Sequence, residues 1–200
     1  MFIYSINTNM PLTNEEKDSI TTNLNIKQKD FIIGHLTKML EMAEAEFGPR
    51  MQSIFLRKIV FSQAINTYYA EPGIIEISIQ ENVENDKPQC IYQLGQEIVH
   101  VLSMQNDKPV TCLEEGIATD FIERYMDSIR MGGIVSAPNN AHYQAKQKTQ
   151  RLFLNYGKDL IKEIRKSKPI ISSITAQDLI DKNPEIPSDF ASEITSTFYK

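Results

Sequence analysis

Apolar side chains at Ile33, Leu36, Leu40 and Ala43 recur at helical spacing along "DFIIGHLTKMLEMAEAEFG", with Asp30 placed as an N-cap and Gly48-Pro49 as a stop. The period then shortens. "KIVF" (Lys58 to Phe61) and "GIIEISIQE" (Gly73 to Glu81) are β-branched, the second alternating Ile75, Ile77 and Ile79 with Glu76 and Ser78, and both predict strands. Glu71-Pro72-Gly73 is a turn signal ahead of the second. Residues 81–89 are polar, a loop or the start of a helix. A helix is predicted over Ile91 to Met104, broken by "QNDKPVT", and another over "CLEEGIATDFIERYMDSI". After a loop at "MGGIVSAPNN", helical patterns return in "AHYQAKQKTQRLFLNYG" and "GKDLIKEIRKS", with two short ones at "TAQDLI" and "PSDFASEITSTF".

This order, a helix, a small sheet and then mostly helices, predicts a single α+β domain over residues 1–200. Within it, 1–27 is a polar segment with capping and turn residues, 28–90 carries a helix and the sheet, 91–130 holds two helices, and 141–200 is a helical carboxy-terminal part. Two hundred residues suffice for one sizeable core.

Composition narrows the function classes. With 41% apolar and 24% charged residues the chain is an ordinary globular one, and a net charge of −5 argues against general nucleic-acid binding. The basic run "KDLIKEIRKSK" reads as a solvated helix face. No run of 18 apolar residues predicts a membrane span, and the first residues lack the pattern of a secretory signal. Two separated cysteines, Cys90 and Cys112, fit a reduced compartment, and the expected location is cytoplasmic.

The chemistry concentrates in "YQLGQEIVHVLS" (Tyr92 to Ser103). On a helix Gln96 and His100 lie one turn apart on one face, Glu97 beside them, with Gln93 and Met104 extending the polar stripe. An HExxH helix uses two histidines at this spacing to bind zinc and the glutamate between as general base. Here the pattern is QExxH. A Glu three residues before a His also arises as a plain hydrogen-bonded pair. Fourteen residues after His100, "EEGIA" follows at a helix start.

Together, QEIVH and EEGIA resemble the gluzincins, the HExxH peptidases whose third zinc ligand is a glutamate on a following helix. The likeness is specific over about Gly73 to Arg124. It implies a zincin-like fold, Gln96, His100 and Glu115 as the metal set, and Glu97 as catalytic base, with Glu114 a neighbour of the third ligand. It implies that Gly116 and Ala118 let their helix pack close to the motif helix. It also implies that "GIIEISI" is the edge strand beside the site, where an extended peptide adds as a strand.

The departure is Gln96. A neutral amide oxygen is a poorer zinc donor than imidazole, and the set of amide, imidazole and carboxylate is harder than a normal zinc site, closer to manganese or iron. Some gluzincins carry an aspartate four residues after the ligand glutamate; here that position is Thr119, and Asp120 points about 100° away round the helix. Candidate replacements are His142, as ligand or as a transition-state donor with Tyr143, and Cys112. The plainer readings are a surface histidine and a small core residue; His35 reads as structural, and Tyr68-Tyr69 as core or groove lining.

Two functions of different class follow. One is an inactive or weakly active metallopeptidase homologue, zinc weak or absent, whose cleft binds a peptide or protein partner. The other is an active metal-dependent peptidase. A blander third is a helical interaction protein in which both motifs are coincidental.

Overall fold

The computed structural model describes residues 12–21, 26–51, 53–83, 85–102, 109–135, 137 and 139–199. The predicted helix end at Met104, residues 105–108 of the break after it and most of the polar segment before residue 27 lie outside this set.

Within that polar segment a helix, α1 (Asn14–Thr21), forms. Thr13 and Glu16 cap it reciprocally: Glu16 N–H donates to Thr13 Oγ1 at 3.1 Å, and Thr13 N–H to Glu16 Oε2 at 2.9 Å. Leu12 and Ile20 enter the core. The next helix, α2 (Ile26–Phe47), begins a turn before Asp30, so Asp30 is an exposed interior residue and not its cap. It stops at Gly48, whose φ of 93° only glycine takes without strain.

The sheet has three strands, β1 (Phe55–Ser62), β2 (Asn66–Glu71) and β3 (Ile74–Gln80), in the order β1-β3-β2. β1 is parallel to β3 and β2 antiparallel to it. This corrects the predicted edge: "GIIEISI" is the central strand, and the strand at the motif-helix edge is β2. The resemblance, not the alternation, put it at the edge; in the structure β1 and β2 flank it on either side, and its outer face is closed by polar side chains. Glu76 is buried there, accepting from Tyr68 Oη at 2.7 Å and Arg57 Nε at 2.8 Å. Ile75, Ile77 and Ile79 face the core. β2, "NTYYAE", carries no apolar alternation strong enough to announce itself. Gly73, φ 78°, makes the turn between β2 and β3; a Cβ there would lie 2.7 Å from Ser53 O.

A short 3₁₀ turn at Glu81–Val83 leads to α3 (Lys87–Val101), capped by Asp86, which accepts from Gln89 N–H. α4 (Cys112–Ser128) is capped by Thr111 through Glu114 N–H, and α5 (Asn140–Tyr156) by Asn139 through His142 N–H. Three short helices follow, α6 (Asp159–Arg165), α7 (Ala176–Lys182) and α8 (Ser188–Ile194).

α3 is the central helix, packed against the sheet, α2 and α4. Close approach there depends on Gly95, where a Cβ would fall 2.0 Å from Ile122 Cδ1. Gly116 serves a different contact from the one expected. Its missing side chain faces α5, with Ala145 O 2.4 Å from a built Cβ, so it seats α5 against α4. The basic run is also not wholly solvated: Arg165 is buried and donates to the carbonyls of Phe47, Gly48, Pro49, Leu102 and Pro169, joining the ends of α2 and α3 to α6.

Candidate functional site

Two helices and one strand bring the predicted residues to one place. α3 carries Gln96 and Glu97, four and three residues before His100, each within one turn of it. α4 presents Glu114 and Glu115 in its first turn, and β2 presents Thr67 from the sheet edge. His100 Nε2 lies 3.9 Å from Glu115 Oε1, although the two are on separate helices. The predicted pairing of QEIVH with EEGIA is therefore a spatial one.

Glu114 does more than stand beside the predicted ligand. Its Oε1 accepts from His100 Nδ1 at 2.8 Å, which fixes the ring and turns Nε2 toward Glu115. Burial works against a charge on His100, but the hydrogen bond to Glu114 and the charges of Glu114, Glu115 and Glu97 outweigh it and push its pKa up to about 10. Glu97 accepts from Thr67 Oγ1 at 2.6 Å, tying the motif helix to the edge strand.

His142 joins the same cluster. It is buried, not on the surface, and its Nε2 stands 3.6 Å from Glu115 Oε2, so Glu115 is flanked by two imidazoles. Asn139 Oδ1 holds its Nδ1 at 2.9 Å, and the ring of Phe198 meets it edge-on with centroids 4.9 Å apart. Neighbouring Tyr143 is 45% exposed, its hydroxyl accepting from Gln147 Nε2. Cys112 sits at the α4 start against Ser196 and Thr197, and His35 bonds Tyr125 Oη at 2.6 Å, a structural role. Asp120 is committed to Arg124 and Gln150, while Thr119 Oγ1 is buried with no hydrogen-bond partner among the described residues.

Gln96 lies one turn before His100 on α3. It is 5% exposed, and among the described residues its carboxamide makes no hydrogen bond to His100, Glu115 or His142. Zinc bonds of about 2.0–2.1 Å place tetrahedral donors about 3.4 Å from one another. The 3.9 Å between His100 Nε2 and Glu115 Oε1 is somewhat longer than that spacing. Among the described residues no three His, Cys, Asp or Glu side chains are arranged to hold a metal ion.

Thr67, Asn139 and Phe198 were not legible as site residues. Asn139 had a usable signal, an Asn three before His142 at a helix start. Thr67 and Phe198 had none, since only the folded chain brings them near. Compared with known proteins, the chain matches no family model, no curated protein and no solved structure. No described helix is long and apolar enough to cross a membrane.

Proposed function

We propose that the protein is a gluzincin-like homologue, with a degenerate metal site, whose cleft binds an extended peptide or protein segment. The observation that carries this reading is the tie between Glu97 and Thr67 at 2.6 Å, which sets the edge strand β2 directly beside the motif helix. Among the described residues β2 pairs only with β3. Its other edge offers backbone donors and acceptors to an added strand, while Thr67 and Tyr69 turn toward the core side. Two absent features argue against strong hydrolysis: an imidazole at Gln96 and a carboxylate at Thr119 to orient it.

A second reading, a metal-dependent peptidase with Gln96, His100 and Glu115 as ligands and Glu97 as base, draws support from the Glu114–His100 hydrogen bond. That contact orients a ring nitrogen in the manner of a metal ligand's supporting carboxylate.

Binding is tested with fluorescein-labelled random nonapeptides and the same mixture N-methylated at alternate backbone positions, followed by anisotropy. Strand addition predicts binding of the first and loss of binding by the second. Equal binding of both would remove β2 from the account, and no binding by either would sink the peptide reading.

A further inference from the structure

The segment after α8 turns back over the site. Phe198 N–H donates to Val110 O at 2.8 Å, and Ser196 O accepts from Cys112 N–H at 2.9 Å. Between these bonds Thr197 forms an antiparallel bridge with Thr111, the residue that caps α4. The strap is thus paired to the stretch that launches Glu114 and Glu115. Its next side chain, Phe198, covers the His142 ring, and His142 and Glu115 are each 6% exposed beneath it.

We propose that Ser196–Tyr199 is a removable strap that closes the Glu115–His142 end of the cleft, so that a ligand reaches these groups only when the strap lifts. The inference rests on the reading of the cleft as a ligand site. A group that meets a ligand has to be accessible to it, and His142 and Glu115 are not accessible with Phe198 in place. The strap's own hold is light. Among the described residues it consists of the two backbone hydrogen bonds to Val110 and Cys112, the Cys112 Sγ contacts to Ser196 Oγ and Thr197 O, two bonds from Ser196 to Glu193 O at the end of α8, and the Phe198–His142 ring contact, with Ser196 and Tyr199 facing solvent. Segments with so few buried contacts open locally at low cost while the rest of the fold stays intact. Release would expose His142 Nε2 and the Glu115 carboxylate together.

The strap carries a place to lock it. Cys112 Sγ is 3.6 Å from Ser196 Oγ, so Ser196→Cys sets two sulfurs within reach of a disulfide. Cys90 is buried and stays out of the exchange. The experiment compares the native chain, Phe198→Ala, and Ser196→Cys oxidised with diamide or reduced with dithiothreitol. The first readout is the rate of His142 modification by diethyl pyrocarbonate, followed by peptide mass spectrometry. Locking is expected to slow that reaction by about tenfold or more relative to the reduced form, and Phe198→Ala to speed it above native. Equal rates in the locked and unlocked forms would overturn the proposal.

The second readout is anisotropy with the random nonapeptides. Binding that weakens on locking and recovers on reduction supports gating. Binding that is indifferent to the lock overturns it. If no form binds peptide, the peptide reading fails, while the cover over His142 stands or falls on the modification rates alone.

Discussion

Thr67 Oγ1 donates to Glu97 Oε2 at 2.6 Å, and this hydrogen bond ties the sheet edge to the motif helix. Both residues are buried. Removing the hydroxyl with Thr67→Val takes a donor from a buried carboxylate at nearly constant volume. Stability is expected to fall by about 1–3 kcal/mol in urea unfolding. Thr67→Ser, which keeps the donor, is expected to recover most of it; equal losses in both would mean that the methyl group, not the hydrogen bond, matters.

Glu114 sets the basicity of His100. Because the folded pKa of about 10 lies above the ordinary value of 6.5, protonated His100 stabilises the fold fully below about pH 6.5. That contribution is lost as pH rises toward 10. Glu114→Gln removes both the charge and the ionic hydrogen bond. Its His100 ring resonances are expected to titrate at lower pH in proton NMR, and the loss of stability between pH 7 and 10 to be smaller than in the native chain.

A second buried charge reports on the amino-terminal packing. Glu16 is 1% exposed and accepts from Arg50 at 2.6 and 3.1 Å, from Leu56 N–H at 3.0 Å and from Thr13 N–H. Burial opposes its ionisation, but the bonds to Arg50, Leu56 and Thr13 prevail and hold its pKa below the usual 4.5. Its stabilisation is therefore present above about pH 4.5 and lost as pH falls through the depressed value. Glu16→Gln is expected to cost about 3–5 kcal/mol at neutral pH, since it leaves the buried Arg50 guanidinium with the more distant Glu44 carboxylate at 3.7 Å, and to flatten the acid limb of the stability profile.

Both cases bear on how much the chain declares in advance. The motif helix and the EEGIA helix were legible from helical spacing, a local signal, while their meeting at His100 and Glu115 was expected only from the resemblance. The edge strand was not: "NTYYAE" is polar at both ends, and its partner choice depends on β3 being sealed by Glu76, Tyr68 and Arg57. His142 read as a surface histidine because its burial comes from Phe198, more than fifty residues later. Glu114 read as a bystander because helix geometry cannot say which of two adjacent carboxylates takes Nδ1. Gly116 carried a correct signal, a need for close approach, attached to the wrong neighbour.

Gly116 also offers a mechanical test. A Cβ at this position would lie 2.2 Å from Thr149 Oγ1 and 2.4 Å from Ala145 O, and the second is backbone that cannot swing away. Gly116→Ala is expected to lower stability by about 1–3 kcal/mol through overpacking between α4 and α5. Gly95→Ala meets only the tip of Ile122 and the sulfur of Met39, which can move, so its cost is expected to be smaller. The reverse order in thermal unfolding would place the critical contact between α3 and α4.

Gln96 decides between the two readings of the cleft. His100 Nε2 and Glu115 Oε1 lie 3.9 Å apart and Glu114 orients the ring, so on the metal-site reading position 96 is where a better donor would complete the set. An amide oxygen binds zinc less well than imidazole nitrogen. After dialysis against buffer containing equimolar zinc, the native chain is expected to retain below about 0.1 zinc per chain, and Gln96→His close to one, by mass spectrometry. Because a metal displaces the proton that Glu114 favours on His100, retention by the Gln96→His variant is expected to rise with pH. Near-stoichiometric zinc on the native chain would reverse the assignment and make Gln96, or a substitute, a working ligand of a hydrolase. If neither protein binds, His100 and Glu115 face each other as a plain ion pair, and the likeness to a metal site ends with their spacing.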